Sequence, residues 1–183
     1  MVRLRPQLTG AGAATLLIGL TAAGLPTPAA ADPANAPADV QTLMSHLSGG
    51  FNPADCHPAS ARTPAALAAV DCPDFTNHDP GGPWNALYLL YANAGDLNAD
   101  FQRALADPDN PVQPFPDGTK GPIQWNRGGH SGSVVFNGQG GNSVVHLLWT
   151  DTTAMILVDA EQSIERDRTQ ARLWDWWQAE GVR

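Results

Sequence analysis

The chain has 183 residues, 18 Asp+Glu against 10 Lys+Arg, and a formal net charge of −8 at pH 7. An acidic surface repels phosphate backbones and anionic headgroups, which excludes nucleic acid and polybasic-type membrane docking as partners. With 43% hydrophobic residues, the chain can bury one core and form one domain.

Residues 1–31 carry a targeting pattern. Arg3 and Arg5 make a basic start, an apolar run follows from Ala11 to Leu25, and Pro26 and Pro28 break it before Ala29-Ala30-Ala31. That is the pattern of a secretory signal peptide with cleavage near Ala31. Gly19 and Gly24 interrupt the run, which is shorter than the roughly 20 apolar residues of a membrane span. No membrane anchor is therefore expected after cleavage, and the expected location is secreted or cell envelope. Loss of Arg3 and Arg5 takes Lys+Arg from 10 to 8 against an unchanged 18 Asp+Glu, so the formal net charge becomes −10.

Residues 32–38 are rich in Pro and Ala and read as a flexible lead-in to a single domain over residues 39–181. Asp39 is placed to cap a helix whose apolar residues Val40, Leu43, Met44 and Leu47 follow i, i+3, i+4, i+7. Ser48-Gly49-Gly50 stops it. After a Pro-rich loop, Leu67 to Asp71 is a short strand ending at Cys72. Pro73 to Pro83 is loop, with turn chemistry at Asp79-Pro80-Gly81-Gly82-Pro83. Ala86 to Tyr91 is apolar on both faces, as a central strand would be. Asp96 is placed to cap a second helix with Leu97, Phe101, Ala104 and Leu105 on one side, ended by Asp107-Pro108.

Asn110 to Gly132 is dense in Pro and Gly, with one short strand at Ile123-Gln124-Trp125. Three strands follow: Ser133–Phe136, Ser143–Thr150 and Ala154–Asp159. The links Asn137–Asn142 and Thr150–Thr153 are short enough to require antiparallel neighbours. Glu161 to Glu180 reads as a final helix with Leu173, Trp176 and Trp177 on one face, Arg166, Arg168 and Arg172 in its polar first half, and Gly181 as its stop. The fold class expected is α+β: a single antiparallel sheet of about five to six strands with a C-terminal β-meander and helices packed on one face.

The chemistry is sparse. Cys56 and Cys72 are the two cysteines, and an even count in an exported chain argues for a disulfide. Gly129-His130-Ser131-Gly132-Ser133 approaches the G-x-S-x-G nucleophile elbow, but its fifth residue is Ser133. The elbow also needs a strand before the serine and a helix after it. Here a loop precedes and a strand follows, so no catalytic residue is assigned. His46, His57, His78, His130 and His146 show no metal-ligand spacing, and His146 reads as a hydrogen-bonded strand residue. No phosphate-cradling glycine loop occurs. Neither a metal nor a cofactor is expected. Trp174, Trp176 and Trp177 are the candidates for a ligand-facing surface, against a packing role in the helix core.

Ala68-Ala69-Val70-Asp71-Cys72, Asp79-Pro80-Gly81-Gly82-Pro83 and Ala86-Leu87-Tyr88-Leu89-Leu90-Tyr91 form one informative stretch. Leu148-Trp149-Thr150-Asp151 and Leu173-Trp174-Asp175-Trp176-Trp177 form another. In order and spacing they resemble the small extracytoplasmic domain at the C-terminal end of some mycobacterial serine/threonine protein kinases, which also occurs as free secreted proteins. The resemblance spans most of Asp39 to Gly181. It implies a non-catalytic envelope or sensor module of unknown ligand, with Cys56 and Cys72 as its first bridge. Many relatives carry a second cysteine pair in the region corresponding to Asn110–Phe136, and this chain has none there.

The leading expectation is a secreted, non-catalytic binding or sensor-like domain of the actinobacterial cell envelope. Its partner would be an unknown envelope protein or a small ligand. One alternative is a small envelope hydrolase using Ser131 or a carboxylate. Another is a carrier of an apolar ligand held between sheet and helices.

Overall fold

The computed structural model describes residues 33–60, 63, 65–73, 81–138, 144–164 and 169–182. The signal-peptide reading of residues 1–31, the Asp79-Pro80 turn, and Arg166 and Arg168 lie outside the described residues. Among the described residues there are eight strands: β1 His57–Pro58, β2 Ala66–Pro73, β3 Asn85–Tyr91, β4 Val112–Gln113, β5 Ile123–Arg127, β6 His130–Asn137, β7 Val144–Asp151 and β8 Ile156–Ser163. The helices are α1 Pro37–Met44, α2 Ala94–Leu105 and α3 Gln170–Trp176, and one π-helical turn, Trp177–Gly181, continues α3.

All strands belong to one antiparallel sheet in the order β1-β2-β3-β8-β7-β6-β4, with β5 also paired to β6. The class is the α+β class expected, and the C-terminal meander is present as β5 through β8. The sheet is larger than expected because two-residue bridges at β1 and β4 extend its edges. These are too short to leave a periodic signal in the sequence.

Alternation along the strands gives the sheet two apolar faces. Ala68, Val70, Tyr88, Leu90, Val134, Phe136, Leu147, Trp149 and Val158 face Leu43 of α1 and Leu173, Trp176 and Trp177 at the C-terminus. Ala69, Leu89, Tyr91, Val135, Leu148 and Leu157 face Leu97 and Phe101 of α2. The helices therefore lie on both faces rather than one. The topology explains the difference. After β3 the chain must reach β4 at the far edge before returning through β6 and β7 to β8 beside β3. α2 covers the second apolar face on the way.

Four local departures have physical causes. Asn35 holds residues expected to be a lead-in: its side-chain N–H donates to Ala59 O at 2.9 Å, and its Oδ1 accepts from Ala69 N–H at 2.8 Å. Pro37 opens α1 after Ala36, and Asn93 rather than Asp96 caps α2, accepting from Asp96 N–H at 3.0 Å. The segment from Glu161 expected to be helical is strand as far as Ser163, and helix starts only at Gln170. β8 is flanked by β3 and β7, so the ladder pairs Glu161 with both Asn85 and His146. Gln162 is fully buried and donates to the carbonyls of Gly81 and Gly82 at 3.2 and 2.7 Å.

Cys56 and Cys72 are bridged, with Cα atoms 4.2 Å apart. The bond ties the start of β1 to β2 beside the His57–Asp71 register pair. Among the described residues, no helix is long and apolar enough to cross a membrane.

Candidate functional site

The α2 face of the sheet grades from apolar to polar in successive rows. Directly opposed residues in antiparallel strands share a face. Ala69, Leu89 and Leu157 form one row. Asp71, Leu87, Asp159 and Leu148 form the next, and Asn85, Glu161, His146 and Asn137 the one after. α2 covers the first row and part of the second. Between the C-terminal half of α2 and the sheet lies a groove of about 530 Å³. Its floor is Leu87, Leu89, Leu148 and Leu157, its wall includes Arg103, Ala104 and Asp107, and Asp159 stands at its polar end.

The wall is fastened by charge-assisted contacts. Asp100, buried on α2, accepts from the Tyr91 hydroxyl and pairs with Arg103. Asn137 donates to Ala104 O at 3.0 Å, which fixes the end of α2 against β6.

At the polar end, His146 Nδ1 lies 3.0 Å from Asp159 Oδ1 and 3.9 Å from Glu161 Oε1. All three side chains are half-buried. Burial alone would lower the His146 pKa, but the hydrogen bond to Asp159 and the charges of Asp159, Glu161 and Asp107 together leave it raised. Burial pushes the Glu161 carboxyl up, and the Asp159 charge adds to this. Among the described residues, neither Asp159 nor Glu161 has a lysine or arginine partner within salt-bridge range. His146 stands apart from the other histidines in the sequence, so histidine spacing does not find this cluster. The available signal was Asp159-Ala160-Glu161, whose i, i+2 spacing puts both carboxylates on one face of a strand.

On the opposite side, β5 and β6 form a hairpin through Gly128 and Gly129, both with positive φ, 59° and 87°. This is the geometry of a two-residue type I′ turn. It brings His130 Nδ1 to 2.6 Å from Asp151 Oδ2. Asp151 is fixed in turn, its Oδ1 accepting from the backbone N–H groups of Thr153 and Ala154 at 2.9 and 3.0 Å. The His46 ring meets the His130 ring edge-on, centroids 6.0 Å apart. Ser131 does not join this pair. Successive strand residues point to opposite faces, and Ser131 Oγ lies 3.3 Å from Thr152 Oγ1. The cleft by His46 and Asp151, also lined by Trp149 and Val158, holds about 20 Å³, the scale of one water. A histidine and an acid thus converge, and the serine stands apart.

The three tryptophans fall into two roles. Trp176 and Trp177 are 4% and 3% exposed and belong to the core. Trp177 stacks on Trp174 with centroids 5.0 Å apart and lies under the Arg127 guanidinium. Trp174 is half-buried against Phe115 and Phe136. Of the three, it alone reaches the boundary with solvent. Comparison with protein-family models, curated proteins and solved structures finds no match to this chain.

Proposed function

We propose that this chain is a non-catalytic binding domain of the extracytoplasmic space, and that the groove beside α2 is its ligand site. The observation that carries this reading is the groove, where a leucine floor runs into the carboxylate of Asp159 with Asp107 on the wall. Apolar surface of this kind favours an apolar body at about 25 cal/mol per Å² covered. A few polar groups at one end orient it. The ligand is a small amphipathic molecule whose head is cationic or rich in hydrogen-bond donors.

The Cys56–Cys72 bridge supports an oxidising compartment. The resemblance to the extracytoplasmic kinase domain agrees with a sensor-like role in the cell envelope. The carrier alternative would use the same leucine floor. The hydrolase alternative has the His130–Asp151 pair in its favour, but it needs a nucleophile that Ser131 does not supply in this geometry.

The test is titration with dodecylammonium and with dodecyl sulfate below their micellar concentrations, followed by backbone amide shifts. Saturable shifts at Leu87, Leu148 and Asp159 with the ammonium, weaker with the sulfate and lost in Leu87→Lys, are expected. Shifts confined to other surfaces, or none with either amphiphile, overturn the proposal.

A further inference from the structure

We propose that His146, Asp159 and Glu161 form a binding site for a divalent transition-metal ion, with Zn²⁺ as the first candidate. One donor atom from each residue lies within 4.8 Å of the other two. Imidazole nitrogen and carboxylate oxygen sit about 2.0–2.2 Å from Zn²⁺, so adjustments on the scale of side-chain rotation close the cluster on an ion. One nitrogen and two oxygens suit Zn²⁺, Co²⁺ or Mn²⁺, and the absence of sulfur among these donors disfavours Cu⁺.

The backbone holds this arrangement. His146 and Glu161 are direct register partners on β7 and β8, and Asp159 is two residues from Glu161 on the same face. Both strands are interior to the sheet, flanked by β6 and β3. The donors therefore stand on rigid elements, which a precise site requires.

A second observation comes from the same polar row. Asn85 lies opposite Glu161, and Asn137 lies opposite His146. Both carry a buried Oδ1 with no hydrogen-bond partner among the described residues. Asn137 is 2% exposed. Buried acceptors are normally satisfied. Three protein donors leave coordination positions for water, and a metal-bound water is a donor to acceptors of this kind. The surrounding charge agrees, since Asp107 and Asp71 add to the negative field acting on His146 and Glu161 respectively. This inference stands on the donor geometry and not on the amphipathic ligand, although Asp159 is common to both sites, so a cationic head and the ion would compete for it and the titrations are made without amphiphile.

The test uses the full chain with ZnCl₂ by calorimetry, and with Co²⁺ by visible absorption. The expected result is one saturable Zn²⁺ site and Co²⁺ d–d bands. Glu161→Gln and His146→Gln should each weaken binding by at least about tenfold, while His130→Gln, at the His130–Asp151 pair on the other face of the sheet, should leave it unchanged. If His146→Gln does not fold, Glu161→Gln is read instead, together with Mn²⁺-induced broadening of the His146 and Asp159 amides in the unaltered chain. No saturable binding, binding equal in the Glu161 variant, or broadening confined elsewhere overturns the site.

Discussion

At Gly132 there is no room for a side chain, because the carbonyl oxygen of Thr150 occupies the space a Cβ would take. That carbonyl accepts from Trp125 Nε1–H at 3.1 Å, and Thr150 Oγ1 accepts from Ser133 N–H at 2.9 Å. The β6–β7 register pairs end at Val134–Trp149, and beyond them Asp151 meets His130. The second glycine of Gly-His-Ser-Gly-Ser is thus a packing requirement. Gly132→Ala should destabilise the domain by roughly 1–3 kcal/mol, the usual cost of forcing extra atoms into a packed site. A denaturant midpoint unchanged from the parent chain would show that the strands separate freely there.

Ser131 should behave as a surface hydroxyl. Its oxygen faces Thr152, and the Thr152 hydroxyl and N–H both donate to Ser131 O at 2.8 Å. Most of the local bonding therefore uses backbone that alanine retains. Ser131→Ala is expected to change stability by no more than about 0.5 kcal/mol, and a fluorophosphonate probe should not label the unaltered chain. Labelling that disappears in Ser131→Ala would instead establish a serine nucleophile.

The disulfide closes a 16-residue separation and pins β1, which has only two residues of ladder. Cys72→Ser should cost roughly 2–4 kcal/mol, mainly by freeing the unfolded chain. Equilibrium unfolding in urea measures it. An equal loss on reduction of the parent chain would tie the cost to the bond rather than to the buried Cys72 side chain.

Strands with continuous apolar sequence were legible. Ala86–Tyr91 and Ser143–Thr150 fall within a residue or two of β3 and β7, because burial on both faces leaves little room for another reading. The end of β8 was not legible. Glu161, Gln162 and Ser163 are polar, and only the flanking strands and the Gly81 and Gly82 carbonyls make them strand. The β5–β6 hairpin hid in its Pro- and Gly-rich surroundings, although Gly128-Gly129 carries the signal of a tight turn. The spacing of Asp159 and Glu161 encodes only the carboxylate half of the His146 cluster, and the histidine joins it through the register between two strands. Placement of α2 on the second face depends on strand order, another property of the whole sheet.

Alkaline pH should unfold the domain through its tyrosines. The chain has two, Tyr88 and Tyr91, both buried on β3. Burial pushes the Tyr88 phenol from 10.0 up to about 12, and its contacts with Ser48 only partly oppose this. Burial raises Tyr91 as well. The folded chain thus keeps protons that the unfolded chain releases from pH 10 upward. The stability linked to them is whole below pH 10 and is lost as pH climbs towards 12. Tyrosinate absorbance should stay silent through pH 10 and then rise together with loss of the far-UV signal. Ordinary titration near pH 10 in a folded chain would contradict this.

The C-terminal helix should be indispensable to the fold. Leu173, Trp176 and Trp177 are buried against the sheet, and Trp149 meets both indoles edge-on with centroids 6.3 Å away. The turn after α1 grips the same end of the chain. Ser48 Oγ donates to Gly181 O at 2.7 Å, Gly49 N–H donates to Glu180 O at 2.8 Å, and Trp176 Nε1–H donates to Gly49 O at 3.3 Å. Gly181 is itself required, since a Cβ there would collide with the Trp177 ring. Removing one buried tryptophan typically costs about 3–5 kcal/mol. Two tryptophans and a leucine together cost about 8–15 kcal/mol, as large as the roughly 5–15 kcal/mol margin of a typical domain. Truncation before Leu173 should therefore abolish the cooperative thermal transition, and Trp176→Ala alone should lower the denaturant midpoint while leaving a folded baseline. A truncated chain that melted cooperatively at the parent temperature would make this helix a peripheral arm and would return its tryptophans to the surface as a docking face.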